Sequence, residues 1–118
     1  MSVLALLALA ASTPCPVLSV HDGDTIRCGA ERVRIADIDA PELPDSPKCR
    51  DYRARYAWYD FRKGALSRDA LRHFLAKGHV TIQRQGIDRY GRTLALVRVN
   101  GMDAGEWLIS QGLARRWN

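Results

Sequence analysis

The chain has 118 residues, with 18 Lys and Arg against 13 Asp and Glu and a formal net charge of +5. That length suits one domain and excludes two full ones, and apolar residues at 47 % with 9 Gly and 5 Pro exclude disordered, collagen-like and coiled-coil chains. The charge is uneven: residues 22–45 hold seven acids and three bases, a segment of −4 on a remainder of +9. An acidic island on a basic body points to a cation in the island and a polyanion on the body; the plainer reading is a basic protein with one acidic loop.

In chain order, none of the first 21 residues is Asp, Glu, Lys or Arg, and residues 3–11 form an apolar run of nine. A bilayer span needs about 20 residues, so this run suits the hydrophobic stretch of a leader. Ala8-Leu9-Ala10 supplies a small-x-small cleavage pattern, although no Lys or Arg stands near Met1. The competing assignment is a first apolar element of the domain. Residues 1–13 are therefore expected as a leader, 14–118 as the domain, and the protein as periplasmic or secreted. Cys15, Cys28 and Cys49 show neither a C-x-x-C pair nor a His at zinc-ligand spacing. Export permits one disulfide and leaves one thiol, with the pairing open.

Residues 15–20 read as a short strand, and the Asp-Gly of His21-Asp22-Gly23-Asp24 marks a hairpin into the strand at 25–28. Polar and apolar residues alternate over 31–35, giving a third strand and a meander. Three prolines within residues 41–47 predict a loop. From 52 to about 77 the pattern is helical, with Ser67 as a cap, Leu71, Phe74 and Leu75 on one face, a break at Gly64 and a stop at Gly78. Tyr56, Trp58, Tyr59 and Phe61 read as packing residues. Strands follow at 80–84 and 93–99 around the turn Asp88-Arg89-Tyr90-Gly91-Arg92, and Asn100-Gly101 closes the second. A helix over 103–111 has Asp103 as N-cap and Glu106 at its third position. A meander, a helix and then a hairpin fit an α+β, mainly β fold: a small five-stranded OB-type barrel with flanking helices.

The chemistry gathers in Asp22-Gly23-Asp24-Thr25, in Arg34 with Asp39-Ala40-Pro41-Glu42, and in the 88–92 turn. Each alone has an ordinary explanation as a turn or strand end. Together they supply two hard oxygen ligands for Ca²⁺, Asp24 and Asp39. Glu42, beyond a stiffening Pro41, is placed to reach a bound water. Arg34 and Arg92 are planar forks for phosphate oxygens. Those are the parts of a phosphodiester hydrolase. His21, His73 and His79 carry no assigned role.

At these residues the sequence resembles the staphylococcal nuclease-like (thermonuclease) family, over about residues 15–116. The resemblance implies an OB barrel with helices and a Ca²⁺-dependent nuclease acting on DNA and RNA with low sequence specificity. It implies Asp24 and Asp39 as metal ligands, with Ala40 contributing through its carbonyl where the best-known pattern has Thr. It makes Glu42 the general base and Arg34 and Arg92 the catalytic arginines. Asp37 adds a carboxylate beside the motif; for the aromatic that longer members place near the nucleotide, the resemblance leaves two alternatives, substitution by Trp117 or absence of the contact. Arg84, Arg89, Arg115 and Arg116 flank the last hairpin and helix and are expected to bind substrate. No membrane and no obligate protein partner are expected, and the chain reads as a monomer. The alternative is a non-catalytic nucleic-acid-binding OB domain; a basic module for membranes or acidic partners leaves Asp24, Asp39 and Glu42 unexplained.

Overall fold

The alternating segments fold into a curled sheet in the computed structural model, which describes residues 11–41 and 61–117. Strands β1 (Thr13–Pro14), β2 (Val17–Asp22), β3 (Thr25–Cys28), β4 (Glu31–Ile35) and β5 (Ile38–Asp39) precede helix α1 (Phe61–Leu75). Then come β6 (Val80–Ile87), β7 (Thr93–Val99), β8 (Met102–Asp103), helix α2 (Ala104–Ser110) and β9 (Arg115–Arg116).

The main sheet runs β1-β6-β7-β4-β3-β2, with β8 on β7, while β5 pairs with β9 apart from it. Neighbours are antiparallel except β4 and β7, which are parallel. The chain itself joins the two edges: Thr13 lies opposite Ile82 on β6, and a few residues on Val17 lies opposite Cys28 on β3. That link rolls the sheet into the OB-type barrel the pattern predicts. A disulfide between Cys15 and Cys28 ties the link to the end of β3, so one of the three open pairings is realised. Closing so short a loop stabilises by roughly 3 kcal/mol in the chain-entropy account.

Period-two alternation sends Ile26, Val33, Ile35, Ile82, Ala95 and Val97 inward, all buried. Leu71, Phe74 and Leu75 of α1 cover this interior as their spacing predicts, and Phe74 stacks on Trp107 of α2 with ring centroids 4.8 Å apart. Asp103 caps α2, its carboxylate accepting from the Glu106 N–H at 2.9 Å. Asn100 (φ 51°) and Gly101 (φ 79°) make the tight left-handed turn between β7 and β8.

Two local expectations about α1 fail. Gly64 does not break the helix, which runs on through it. Ser67 is not a cap but a fully buried residue inside α1. It lies four residues before Leu71 and seven before Phe74, on the helix's buried face. Its hydroxyl donates to the Leu113 carbonyl at 2.8 Å, which satisfies a polar atom that burial otherwise penalises. The sixth to eighth residues of β6 lie beyond the predicted end at 84, because the hairpin continues past a bulge between Arg84 and Gly86. Residues 3–10 of the apolar run at 3–11, the prolines after Pro41, Cys49, the predicted helix before 61 and the aromatics Tyr56 to Tyr59 lie outside the described residues. Among the described residues no helix is long and apolar enough to cross a membrane.

Candidate active site

The turn between β2 and β3 delivers Asp24 into a nearly closed environment, 6 % exposed. Gly23 makes this seat possible by its lack of a side chain. A Cβ there would run into Ser67 Oγ and stand 2.7 Å from the Ala40 Cβ. The turn therefore rests directly on α1 and on the segment after β5. Gly23→Ala is expected to push the turn off this seat and cost about 1–3 kcal/mol, as overpacking does. Thermal denaturation measures the cost, and an unchanged melting temperature would refute the close-packed seat.

Asp24 is held by its neighbours. Its Oδ2 accepts from the Ala40 N–H at 3.0 Å, and its Oδ1 accepts from the Thr25 hydroxyl at 3.0 Å. Arg34 Nη2 lies 3.6 Å from Oδ2. Burial, with Asp22 beside it, nonetheless pushes the Asp24 pKa up to about 6, against the pull of Arg34. Arg34 stands opposite Thr25 on β4. Its Nη1 also donates to the Ile35 and Ile38 carbonyls, both at 2.8 Å, and so clamps the turn that leads to β5. Asp37 forms that turn with φ 68°; it is exposed, and its carbonyl accepts from Trp117 N–H at 2.8 Å.

Arg92 enters from the β6–β7 hairpin. Its Nε donates to Asp88 Oδ2 at 2.8 Å, and its Nη1 reaches Thr25 Oγ1 at 3.5 Å. Thr25 is thus the joint between Arg92 and Asp24, a role the sequence reading did not assign. Its signal was present: in the β3–β4 hairpin turning at Gly29-Ala30, Thr25 is the strand residue that falls opposite Arg34. Arg92 also lies 5.5 Å from the centre of the Tyr90 ring, and Arg89 5.1 Å from it.

Asp39 is buried on β5 beside Ala40. Its Oδ2 accepts from Arg115 Nε at 3.2 Å and Nη2 at 3.0 Å. The structure thus brings together Asp24, Arg34, Arg92 and the Ala40 backbone, with Asp39 next in the chain. The expected substrate arginines are scattered. Arg84 forks onto Glu31 at 2.9 and 2.7 Å and bonds Thr13, at the end of β4 remote from Arg34. Arg116 pairs with Glu106. Arg115 sits on Asp39, and Arg89 lies over Tyr90. Glu42 lies outside the described residues, directly after the buried Pro41.

The donor set fits a hard cation. A buried carboxylate whose pKa is pushed up to about 6 is one whose negative charge is under-compensated. Among the described residues no group of three or more His, Cys, Asp or Glu side chains is assembled.

The curled sheet with its flanking helices is an OB-type domain that carries this acid–arginine constellation. The chain belongs to the staphylococcal nuclease homologue family, whose model matches residues 32–118. It is 41 % identical over 98 residues to the succinoglycan biosynthesis protein ExoI of Rhizobium meliloti, covering 81 % of this chain and 48 % of that one. It is 31 % identical to an uncharacterized endonuclease of Haemophilus influenzae, over 85 % of this chain and 50 % of the relative. An uncharacterized endonuclease of Escherichia coli is 34 % identical over 83 % of this chain and 57 % of its own length. The chain spans about half the length of these relatives.

Proposed function

We propose that this chain is a Ca²⁺-dependent nuclease domain that hydrolyses phosphodiester bonds of DNA and RNA with low sequence specificity. The observation that carries the reading is the convergence of Arg34 and Arg92 on the buried Asp24 carboxylate, Arg34 directly at 3.6 Å and Arg92 through the Thr25 hydroxyl. Two guanidinium forks beside one under-neutralised carboxylate suit a phosphate whose charge grows in the transition state. Asp24, Asp39 and the Ala40 carbonyl would hold the cation, which when bound neutralises phosphate oxygens. Glu42 takes the proton of the attacking water, and Arg34 and Arg92 bind the phosphate oxygens. The endonuclease names of relatives agree with this class. We place the protein in an oxidising compartment outside the cytoplasm, which the Cys15–Cys28 bridge supports.

A second reading, a non-catalytic nucleic-acid-binding domain, draws on the partners already made: Arg115 on Asp39 and Asp88 on Arg92. Labelled single-stranded DNA incubated with Ca²⁺, Mg²⁺ or EDTA separates the two. Cleavage with Ca²⁺ that EDTA abolishes, at unchanged far-UV circular dichroism, is the expected result. Binding without cleavage in Ca²⁺ establishes the second reading, and loss of structure in EDTA refutes a cation needed only for turnover.

A further inference from the structure

Strand pairing sorts the outer side chains of β3 and β4 into rows. Thr25 stands opposite Arg34, and two residues further along each strand Arg27 stands opposite Arg32. Directly opposed residues share one face of a sheet with Cβ atoms about 5 Å apart, so Arg27 and Arg32 form the row next to the candidate active site. The parallel register of Val33 with Thr93 brings Arg92 alongside Arg32. The bond from Arg32 Nη2 to the Tyr90 carbonyl at 2.6 Å fixes Arg32 against the same hairpin that carries Arg92.

Two like charges directly opposite each other destabilise a sheet. Several other arginines are neutralised: Arg84 sits on Glu31, Arg92 on Asp88, Arg115 on Asp39 and Arg116 on Glu106. Among the described residues neither Arg27 nor Arg32 has a carboxylate partner. Arg32 is exposed and Arg27 half-buried. An opposed pair of uncompensated guanidinium groups is a standing repulsion that an external anion relieves. Rows two residues apart along a strand are separated by about 7 Å, a step comparable with that between successive backbone phosphates of an extended single strand.

We propose that Arg27 and Arg32 form a second phosphate subsite, which binds the backbone phosphate adjacent to the one held by Arg34 and Arg92. The proposal rests on the nuclease reading for the identity of the first phosphate. It adds a track along β3 and β4 to the substrate arginines expected from the sequence, Arg84, Arg89, Arg115 and Arg116. The ligand is a single-stranded polynucleotide backbone, recognised by charge and spacing and not by base.

Fluorescence anisotropy of a labelled eight-nucleotide oligothymidylate in EDTA, over a series of salt concentrations, tests it without turnover. Losing one phosphate contact lowers the slope of log K against log salt by about 0.7 for a single strand. The Arg27→Gln/Arg32→Gln double variant is expected to show that loss and weaker binding at low salt. The Arg68→Gln/Arg72→Gln variant removes the same charge from the exposed part of α1, and its slope is expected to stay at the wild-type value. Equal losses in both variants would reduce the effect to net charge and overturn the subsite, as would an unchanged slope in the first. Wild-type protein that binds in this way but does not cleave in Ca²⁺ supports the subsite while removing the hydrolytic reading. Wild-type protein that binds no oligonucleotide overturns both.

Discussion

Arg92→Lys is expected to lower kcat by about 10²–10³, the usual effect of removing a transition-state donor, while the melting temperature barely moves. The guanidinium offers a planar edge that bonds two phosphate oxygens at once, whereas an ammonium is a compact point charge. Little of the fold depends on that edge. The hairpin keeps its form through the Asp88 carboxylate, which accepts from the backbone N–H groups of Tyr90 and Arg92, both at 2.9 Å. Arg34→Lys is expected to lose rate to a similar degree and stability as well. Arg34 spends its Nη1 on two carbonyls of the β4–β5 turn and presents Nη2 to Asp24, and one ammonium cannot span all three. Removing such charged hydrogen bonds costs about 1.5–3 kcal/mol. Steady-state kinetics beside thermal denaturation separates the two residues. Full activity of Arg92→Lys at full stability would assign Arg92 to holding Asp88 alone.

This asymmetry between two arginines was not legible in the sequence, and the reason is physical. Residue type and spacing reveal which groups are suited to phosphate, but partners across the fold decide what each is free to do. Alternation and turn chemistry were local signals, so β3, β4, β7 and the Asp103 cap emerged with the predicted bounds. Arg84 and Arg115 looked alike as solvated charges near the motifs. Their carboxylate partners, Glu31 and Asp39, lie 53 and 76 positions away in the chain, beyond any local pattern. Arg27 and Arg32 passed unnoticed for the opposite reason: within an alternating strand an arginine reads as an ordinary outward residue. Only the register, which sets them face to face, shows that they repel. Ser67 was legible but misread. Serine before an apolar run suggests a cap, yet its spacing to Leu71 and Phe74 already placed it on the buried face.

Asp24→Asn is expected to stabilise the cation-free protein while weakening its response to Ca²⁺. Burial raises the Asp24 pKa from an unfolded value of 3.8 to about 6. A raised carboxyl pKa means that protonation favours the folded state, fully so below about pH 4. That contribution disappears as the pH rises through about 6, and above it the fold carries a buried charge that the unfolded chain keeps in water. The shift corresponds to about 3 kcal/mol as an upper bound at 1.36 kcal/mol per pH unit. Asn retains an oxygen acceptor for the Ala40 N–H and carries no charge, but it gives up the ion pair with Arg34. A net gain of about 1–2 kcal/mol at pH 8 follows from that balance, worth several degrees in a domain of this size. The gain should vanish at pH 4, where wild-type Asp24 is itself neutral. Ca²⁺ binds the folded state and so raises the wild-type melting temperature; the variant, with a neutral amide in place of a buried carboxylate, should rise much less. Thermal denaturation at pH 4 and pH 8, with EDTA and with Ca²⁺, reads both effects in one series. A variant less stable than wild type at pH 8 in EDTA would show that the Arg34 pair outweighs the cost of burial, and that Asp24 needs no cation to be neutralised.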